Sequence, residues 1–241
     1  MTPNLYFNLN QQYMQGCSLG QQGMMMEMSG NIPLAGQLYD QALGFIGGSM
    51  VYARQSGIFV TDQILFTFGY FQFAAARAKA MMGFAPLAAT HLAQSLDALN
   101  QAIAVNPNFF QYHAAAGTVL MAQGNVSWAI QAFQRALQLN PLDAWSQWML
   151  ASVHTYLGNP ALANQYYAGA CQAAPSLPAM QQIMPQAPPP GGQASPKQHD
   201  WFEIINNALK FGNNLFQSFG NLQSQFPTGG GGSDWGGGWG G

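Results

Sequence analysis

The amino-acid sequence predicts an all-α protein: a short array of helical hairpins, with apolar helices before it and a detached amphipathic helix after it. Three prolines, Pro107, Pro141 and Pro175, follow one another at intervals of 34 residues. The same spacing pairs five further positions: Gly124 with Gly158, Asn125 with Asn159, Ala129 with Ala163, Phe133 with Tyr167 and Ala136 with Ala170. In each interval, a glycine that can adopt a left-handed turn separates two apolar stretches, and a proline prevents continuation. Each unit is therefore predicted to be two helices joined by a turn.

This repeat resembles the tetratricopeptide repeat family, whose unit of about 34 residues combines small residues, an aromatic residue in the second helix and a closing proline. The matching residues are Gly117, Ala129, Phe133, Ala136 and Pro141 in one unit, and Ala151, Ala163, Tyr167, Ala170 and Pro175 in the next. His113 and Gln147 stand where the family usually has a tryptophan. The resemblance covers residues 84–175 and implies a helical array that acts through protein contacts.

An earlier, degenerate unit is indicated by Leu99, Ala102 and Pro107. Its first helix is predicted to be interrupted at Gly83-Phe84-Ala85-Pro86, because glycine and proline disfavour a helix interior. Helical arrays need about three units, and their end units need a polar cap. With only two well-formed units, this array is expected to need cover from elsewhere in the chain or from a neighbour.

The residues before the repeats divide into two parts. Residues 1–32 are rich in Asn, Gln, Gly and Met and have no sustained period, which predicts an arm with at most one short helix. Residues 33–83 form an apolar helical segment, with one helix on each side of Ser56-Gly57. Gly44 and Gly48, four residues apart, offer another helix a close approach.

The second of these apolar helices is rich enough in phenylalanine for a membrane span to compete as an interpretation. Asp62, Gln63 and Gln72 lie inside it, and a carboxylate at a bilayer centre costs about 2.5–3.5 kcal/mol on insertion scales. A buried helix is therefore preferred, and membrane association is not expected. Because its apolar residues point to every side, it needs cover all round. This need predicts a subunit interface at the helix.

After the repeats, residues 176–199 are rich in Pro, Gly and Gln, which predicts a semi-rigid linker. A capping-box-like start at Asp200 and Glu203 then opens an amphipathic helix over residues 200–226. Its apolar residues follow steps of four and three: Trp201, Ile205, Ala208, Gly212, Leu215, Phe219, Leu222 and Phe226. The other side carries amides and almost no Lys or Arg, which favours docking onto protein over a membrane surface. Residues 227–241 form a glycine-rich tail that contains Trp235 and Trp239.

Charge is unusually scarce in this chain. Charged residues make up 6% of the 241 residues and the formal net charge is −2, whereas ordinary soluble domains have about a quarter of their residues charged. Such a surface offers little repulsion between copies, so it favours association. The six Lys and Arg residues are too few for a basic surface that would neutralise phosphates, so nucleic acid is excluded as a predicted partner.

Catalytic and metal-binding patterns are missing from the sequence. The four histidines, His91, His113, His154 and His199, have no partner at metal-ligand spacing on a helix and no cluster of Cys or carboxylates beside them. The sequence therefore predicts no enzyme, no catalytic residue, no metal and no cofactor. No secretory signal is predicted at the N-terminus, and the compartment stays open.

Two hypotheses for the function remain. The first is a structural protein that assembles with copies of itself into an oligomer or filament, through the repeats and the terminal segments. The second is an adaptor that holds an apolar or aromatic peptide in the concave groove. The groove candidates, on the first helices of the repeats, are Gln111, Ala114, Thr118, Met121, Trp145, Trp148, Ser152 and Thr155. The C-terminal interface candidates are Trp201, Ile205, Leu215, Phe219, Trp235 and Trp239.

Overall fold

The computed structural model describes residues 3–174 and Ile205, with side chains from Phe7 onwards. Within these residues there are eight α-helices and no strand, which confirms the all-α class. They are α1 (Pro3–Met28), α2 (Ile32–Gln55), α3 (Asp62–Met81), α4 (Ala85–Val105), α5 (Phe110–Ala122), α6 (Val126–Leu139), α7 (Ala144–Tyr156) and α8 (Pro160–Ala173). The predicted linker, the tail and all of the predicted C-terminal helix except Ile205 lie outside the described residues.

Consecutive helices pair into four hairpins, which stack in chain order. α1 packs on α2, α3 on α4, α5 on α6 and α7 on α8. Successive hairpins join through the second helix of one and the first helix of the next, and the first helices also touch in sequence. A continuous hydrophobic core runs through all four hairpins. The array therefore has twice the number of hairpins that the two well-formed sequence units indicate.

The four hairpin turns have the same length and the same backbone geometry. In each, a glycine with positive φ lies two residues after the first helix and two residues before the second helix begins: Gly30 (84°), Gly83 (83°), Gly124 (80°) and Gly158 (71°). The Gly124 amide donates to Met121 O at 2.8 Å, and the Asn125 amide donates to Leu120 O at 2.8 Å. The other three turns repeat this pair of bonds, which satisfies carbonyls at the end of the first helix.

Gly83-Phe84-Ala85-Pro86 is one of these turns, so the predicted interruption of a first helix is wrong. α3 ends before Gly83, and α4 begins at Ala85 with proline in its first turn. Proline is tolerated at the start of a helix because the amide it lacks has no partner there. The segment connects two helices of one hairpin, as Gly124 and Gly158 do in the later hairpins.

The second hairpin is longer than the third by two turns in each helix. α3 has 20 residues and α5 has 13, while α4 has 21 and α6 has 14. Seven residues are close to two full turns, so the longer helices keep the same faces inward. Gly69 accordingly faces Leu99 as Gly117 faces Phe133. These additional residues explain why the 34-residue period ends at the second hairpin.

Residues 3–28 form one helix of 26 residues, so the prediction of an arm with at most one short helix is wrong. The inward side of α1 follows steps of four and three: Leu9, Tyr13, Gly16, Gly20, Gly23 and Glu27. A Cβ atom on Gly23 would lie 2.7 Å from Tyr39 Cε1, and one on Gly20 would overlap the Phe71 ring. Glycine occupies three of these six contact positions. The contacts therefore recur with the helical period, but a search for apolar residues does not detect them.

α3 is covered within one chain, which removes the reason for expecting a subunit interface there. Its neighbours are α1, α2, α4 and α5, and all residues from Phe71 to Ala78 are buried. Gly44 and Gly48 lie on the outer side of α2, where a Cβ on Gly44 would meet nothing within 4 Å. Within the described residues, no helix has the length and apolar character needed to cross a membrane.

An ion pair and a tyrosine hold the first three helices together. Glu27 of α1 accepts hydrogen bonds from Arg77 of α3 and, at 2.6 Å, from the hydroxyl of Tyr39 of α2. The side chains of Arg77 and Glu27 are 7% and 14% exposed. Burial, and then the charge of Glu27, raise the pKa of Tyr39, so its hydroxyl stays protonated and donates.

Candidate interaction surfaces

The first surface is the side of α5 and α7 on which the sequence predicts a concave groove, and we call it the concave side. Six of the eight groove candidates are buried, namely Ala114, Thr118, Met121, Trp145, Trp148 and Ser152. The other two, Gln111 and Thr155, are half-buried, and Gln111 Oε1 has no contact with solvent. The structure brings these residues together, but it does not leave them open to a peptide.

Two tryptophans form the centre of this concave side. The rings of Trp145 and Trp148 are stacked, with centroids 5.8 Å apart, and Trp145 Nε1 donates to Thr118 Oγ1 at 2.9 Å, joining α7 to α5. Trp148 is fully buried, yet its Nε1 finds no acceptor among the described residues. A buried N–H without an acceptor is unusual and costs about 1–3 kcal/mol.

One C-terminal interface candidate, Ile205, is described. Its side chain is fully buried and belongs to the same hydrophobic core as the array. The structure contains a single chain, so this burial takes place on the array of the same molecule. The other C-terminal candidates, Trp201, Leu215, Phe219, Trp235 and Trp239, lie outside the described residues.

The second surface is the outer side of α1, opposite its glycine contacts. Four large apolar side chains are exposed there: Phe7 (67%), Met14 (46%), Met25 (56%) and Met28 (66%). At 100° per residue they fall within a 60° sector of the helix, and they extend over about 32 Å of its length. Gln11, Ser18 and Gln21 lie between them. We call this group the α1 outer strip. The sequence did not indicate it, because residues 1–32 were predicted to be an arm.

The third surface is the side of α8 on which no further hairpin packs in the part of the chain that the structure describes. In the preceding hairpin, Val126, Ile130 and Leu137 of α6 are half-buried against the core. The residues 34 positions later on α8 are Pro160, Asn164 and Cys171. Pro160 and Asn164 are exposed and Cys171 is half-buried. α8 contains no charged residue, and neither does α1 apart from Glu27, which faces inward.

All nine charged residues in the described part of the chain have a polar partner within the molecule. The partners are Glu27 for Arg77, Asp40 for Lys79, Gln101 for both Arg54 and Asp97, Asn106 and Tyr112 for Asp62, Gln138 for Arg135, and the Ser146 amide for Asp143. Burial raises the pKa of Asp143, whose carboxylate caps the start of α7. The two ends of the array therefore present amides and apolar groups to solvent.

The described histidines and cysteines do not gather into a metal site. Within residues 3–174 and Ile205, no three of His, Cys, Asp and Glu lie close enough to hold a metal ion. His91 Nδ1 lies 2.6 Å from Gln72 Oε1, and His154 stacks on Tyr166. Burial lowers the pKa of both imidazoles. Cys17 is buried in α1, and it forms no disulfide with Cys171.

A small cavity lies between α3, α4, α5 and α7. Its volume is about 30 Å³, and its lining includes Phe73, Leu99, Val119 and Trp145. This volume has room for a water molecule but not for a substrate or cofactor.

Stacked hairpins with identical turns define a helical-repeat protein, a class that acts through its extended surfaces. The family model for the tetratricopeptide repeat matches residues 81–144 and 114–178. Residues 81–178 therefore belong to the tetratricopeptide repeat family, and a role in protein interaction follows from that class.

Comparison with solved structures adds no functional information. A crystal structure of MamA is 16% identical, with 63% of this chain and 93% of that chain covered and a TM-score of 0.37. A second MamA crystal structure is 14% identical, with 72% and 98% covered and a TM-score of 0.36. At these TM-scores the likeness carries no argument. No curated protein matches the chain.

Proposed function

We propose that this chain is a non-enzymatic structural subunit that assembles with copies of itself, head to tail, through the two ends of its helical array. The observation that carries the proposal is the α1 outer strip, an exposed apolar surface without charge at the first helix of the array. Exposed apolar patches of this kind mark interaction sites when polar residues surround them. Here Gln11, Ser18 and Gln21 separate the apolar side chains.

The stacking rule inside the array indicates which surface meets the strip. Every internal joint brings the second helix of one hairpin onto the first helix of the next. Among the four described hairpins, this rule leaves one first helix, α1, and one second helix, α8, without a neighbouring hairpin. A joint between α8 of one copy and α1 of the next would continue the array across molecules. Such a heterologous contact produces a filament unless its rotation closes a ring.

Charge supports the same proposal. Head-to-tail contact buries whatever lies on the two ends, and an unpaired buried charge is strongly unfavourable. α8 has no charged residue, and the single charge of α1 is turned inward. A joint between these helices therefore desolvates amides and apolar groups alone.

The alternative, an adaptor that holds an apolar peptide, has less support. It requires an open groove, and six of the groove candidates are buried in the chain as it stands. The adaptor hypothesis therefore needs a step that uncovers Trp145, Trp148 and Ser152 before a peptide can bind.

The proposal can be tested by measuring the mass of the full-length chain in solution while charge is added to one end. In one variant, Met14→Glu and Met25→Glu place two carboxylates on the α1 outer strip. The matched control, Asn8→Glu and Gln15→Glu, adds the same charge to exposed positions of the same helix but outside the strip. Light scattering over a range of concentrations gives the mass of each protein.

We expect the parent and the control to form large assemblies and the strip variant to stay at the monomer mass of 26.0 kDa. Negative-stain images of the same samples distinguish filaments from closed rings. A parent chain that is monomeric at every concentration contradicts the proposal, and so does a strip variant that assembles as well as the control.

A further inference from the structure

Of the four short helices of the array, α7 is the most completely buried. α7 belongs to the fourth hairpin, the last one within residues 3–174. Ten of its 13 residues are nevertheless buried, against eight of 13 in α5, which has a hairpin on each side. α5, α6 and α8 pack on α7, and the concave side of the helix still lacks a neighbour in this set.

A further part of the molecule must cover the concave side of α7. Trp148 and Ser152, one turn apart on that side, both have no exposed surface. Ile205 is the described residue that follows the array, and its side chain is also completely buried in the core. α8 cannot account for this burial of Ile205, because most of its surface away from α7 is half-buried or exposed.

We propose that the C-terminal amphipathic segment of residues 200–226 occupies the concave side of α7, with Ile205 as its anchor. The groove of the repeats is then filled by a segment of the same chain. Between Ala174 and Ile205 lie 30 residues, and a flexible coil of this length spans about 30 Å on average. This span is sufficient for the segment to return to the last hairpin.

The chemistry of the segment fits the surface that it would cover. The sequence predicts an apolar side that begins with Trp201 and Ile205, suited to the Trp145–Trp148 pair. The other side of the segment carries amide side chains, which face solvent when the apolar side is docked. A competing ligand must therefore be an apolar peptide with neutral polar groups, able to displace a covalently attached competitor.

The proposal is independent of head-to-tail assembly and is tested in the monomeric strip variant, where association cannot shield the groove. Ser152→Cys supplies a thiol on the concave side, and Cys171→Ala removes the half-buried native one. The rate at which a soluble thiol reagent modifies the introduced thiol is then compared in three chains: the parent at position 205, Ile205→Asp and the matched control Asn207→Asp. Cys17, which is 7% exposed in the first hairpin, reports in each chain whether the array stays folded.

We expect slow labelling in the parent and in the control, and labelling at least ten times faster after Ile205→Asp, with Cys17 protected throughout. A synthetic peptide of residues 200–226, added to the Ile205→Asp chain, should restore protection, whereas the same peptide carrying Ile205→Asp should not. Fast labelling in the parent overturns the proposal. Equal rates in the Ile205→Asp and Asn207→Asp chains overturn it as well.

If the strip variant assembles, the head-to-tail proposal fails, but the docking of residues 200–226 on α7 can still be tested. The labelling is then carried out at a concentration where light scattering gives a monomer. The labelling rates therefore test whether the groove is filled, independently of whether α8 of one copy binds α1 of the next.

Discussion

The first two hairpins and the last two have the same turn, but they pack their helices in different ways. Helices α1 to α4 have 20 to 26 residues, bury glycines of α1 against aromatic rings and enclose the Glu27–Arg77 pair. Helices α5 to α8 have 13 or 14 residues and carry the alanine and aromatic signature of the family. The comparison teaches that the turn defines the repeat, while helix length and contact residues vary around it.

The largest effect is expected at the ion pair that only the first half of the array contains. Arg77→Met should lower the free energy of unfolding by about 3–5 kcal/mol, because it leaves the Glu27 carboxylate buried and uncompensated. Urea denaturation measures this loss. The double variant Glu27→Met, Arg77→Met should recover a large part of it, since no charge is then buried.

A single variant that loses under about 1 kcal/mol would show that the pair contributes little. A double variant less stable than Arg77→Met alone would show instead that the pair contributes more than the two apolar side chains can replace.

The second effect concerns the glycine contacts of α1. Gly20→Ala should cost about 1–3 kcal/mol, because its methyl group would overlap the Phe71 ring and force the helices apart. The matched control is Gly44→Ala on the outer side of α2, where the methyl group meets nothing within 4 Å. That change should stabilise the protein by about 0.5–1 kcal/mol, since alanine is the better helix former.

Opposite signs for the two glycine variants, measured by urea denaturation, would sharpen the contrast between inner and outer sides. Equal destabilisation would mean that glycine is selected in these helices for another reason.

The third effect tests whether the four turns are equivalent. Alanine at Gly30, Gly83, Gly124 or Gly158 places a side chain at positive φ, which costs about 1–2 kcal/mol. All four single variants should therefore lose similar amounts of stability in the same denaturation assay. A loss at Gly124 and Gly158 without a loss at Gly30 and Gly83 would separate the two halves of the array into different structural types.

The smallest effect is a pH dependence of the last hairpin. Burial lowers the pKa of His154 below its usual value of 6.5, so the folded state binds a proton less readily than the unfolded state. The contribution of neutral, buried His154 to the free energy of unfolding is fully present above about pH 6.5. It is lost as the pH decreases through the folded-state pKa. His154→Gln should weaken this dependence, measured by urea denaturation at several pH values between 7.5 and 5.5.

The two halves were also predictable to different degrees. The spacing of Pro107, Pro141 and Pro175 was enough to predict the third and fourth hairpins, because each proline, glycine and alanine there has the same role in both units. The first hairpin was missed because Gly16, Gly20 and Gly23 are contact residues that a hydrophobic pattern does not register. Its turn, Gly30-Asn31-Ile32-Pro33, was nevertheless visible beside Gly158-Asn159-Pro160, and a search for the turn rather than for the 34-residue period would have found it.

The groove and the α1 outer strip were also predictable from the sequence to different degrees. The groove residues Thr118, Trp145 and Trp148 were identified from their positions in the repeat unit, and the structure brings them together. Their burial was not predictable, because the repeat pattern gives no information about what packs against the first helices. The α1 outer strip required the knowledge that residues 3–28 are one helix, since Phe7 and Met25 share a side only when five helical turns connect them.

The central claim, that the two ends of the array bind each other, is tested most directly by mixing two chains that each keep one end. The first chain carries Met14→Glu and Met25→Glu on α1. The second carries Asn164→Glu and Cys171→Glu on α8, with Ala161→Glu and Ala168→Glu as its matched control on a neighbouring side of the same helix.

Each blocked chain should be a monomer alone, and an equimolar mixture should form a one-to-one dimer of twice 26.0 kDa in light scattering, because one free α8 meets one free α1. Two chains that stay monomeric when mixed, or a blocked chain that pairs with itself, would contradict head-to-tail assembly.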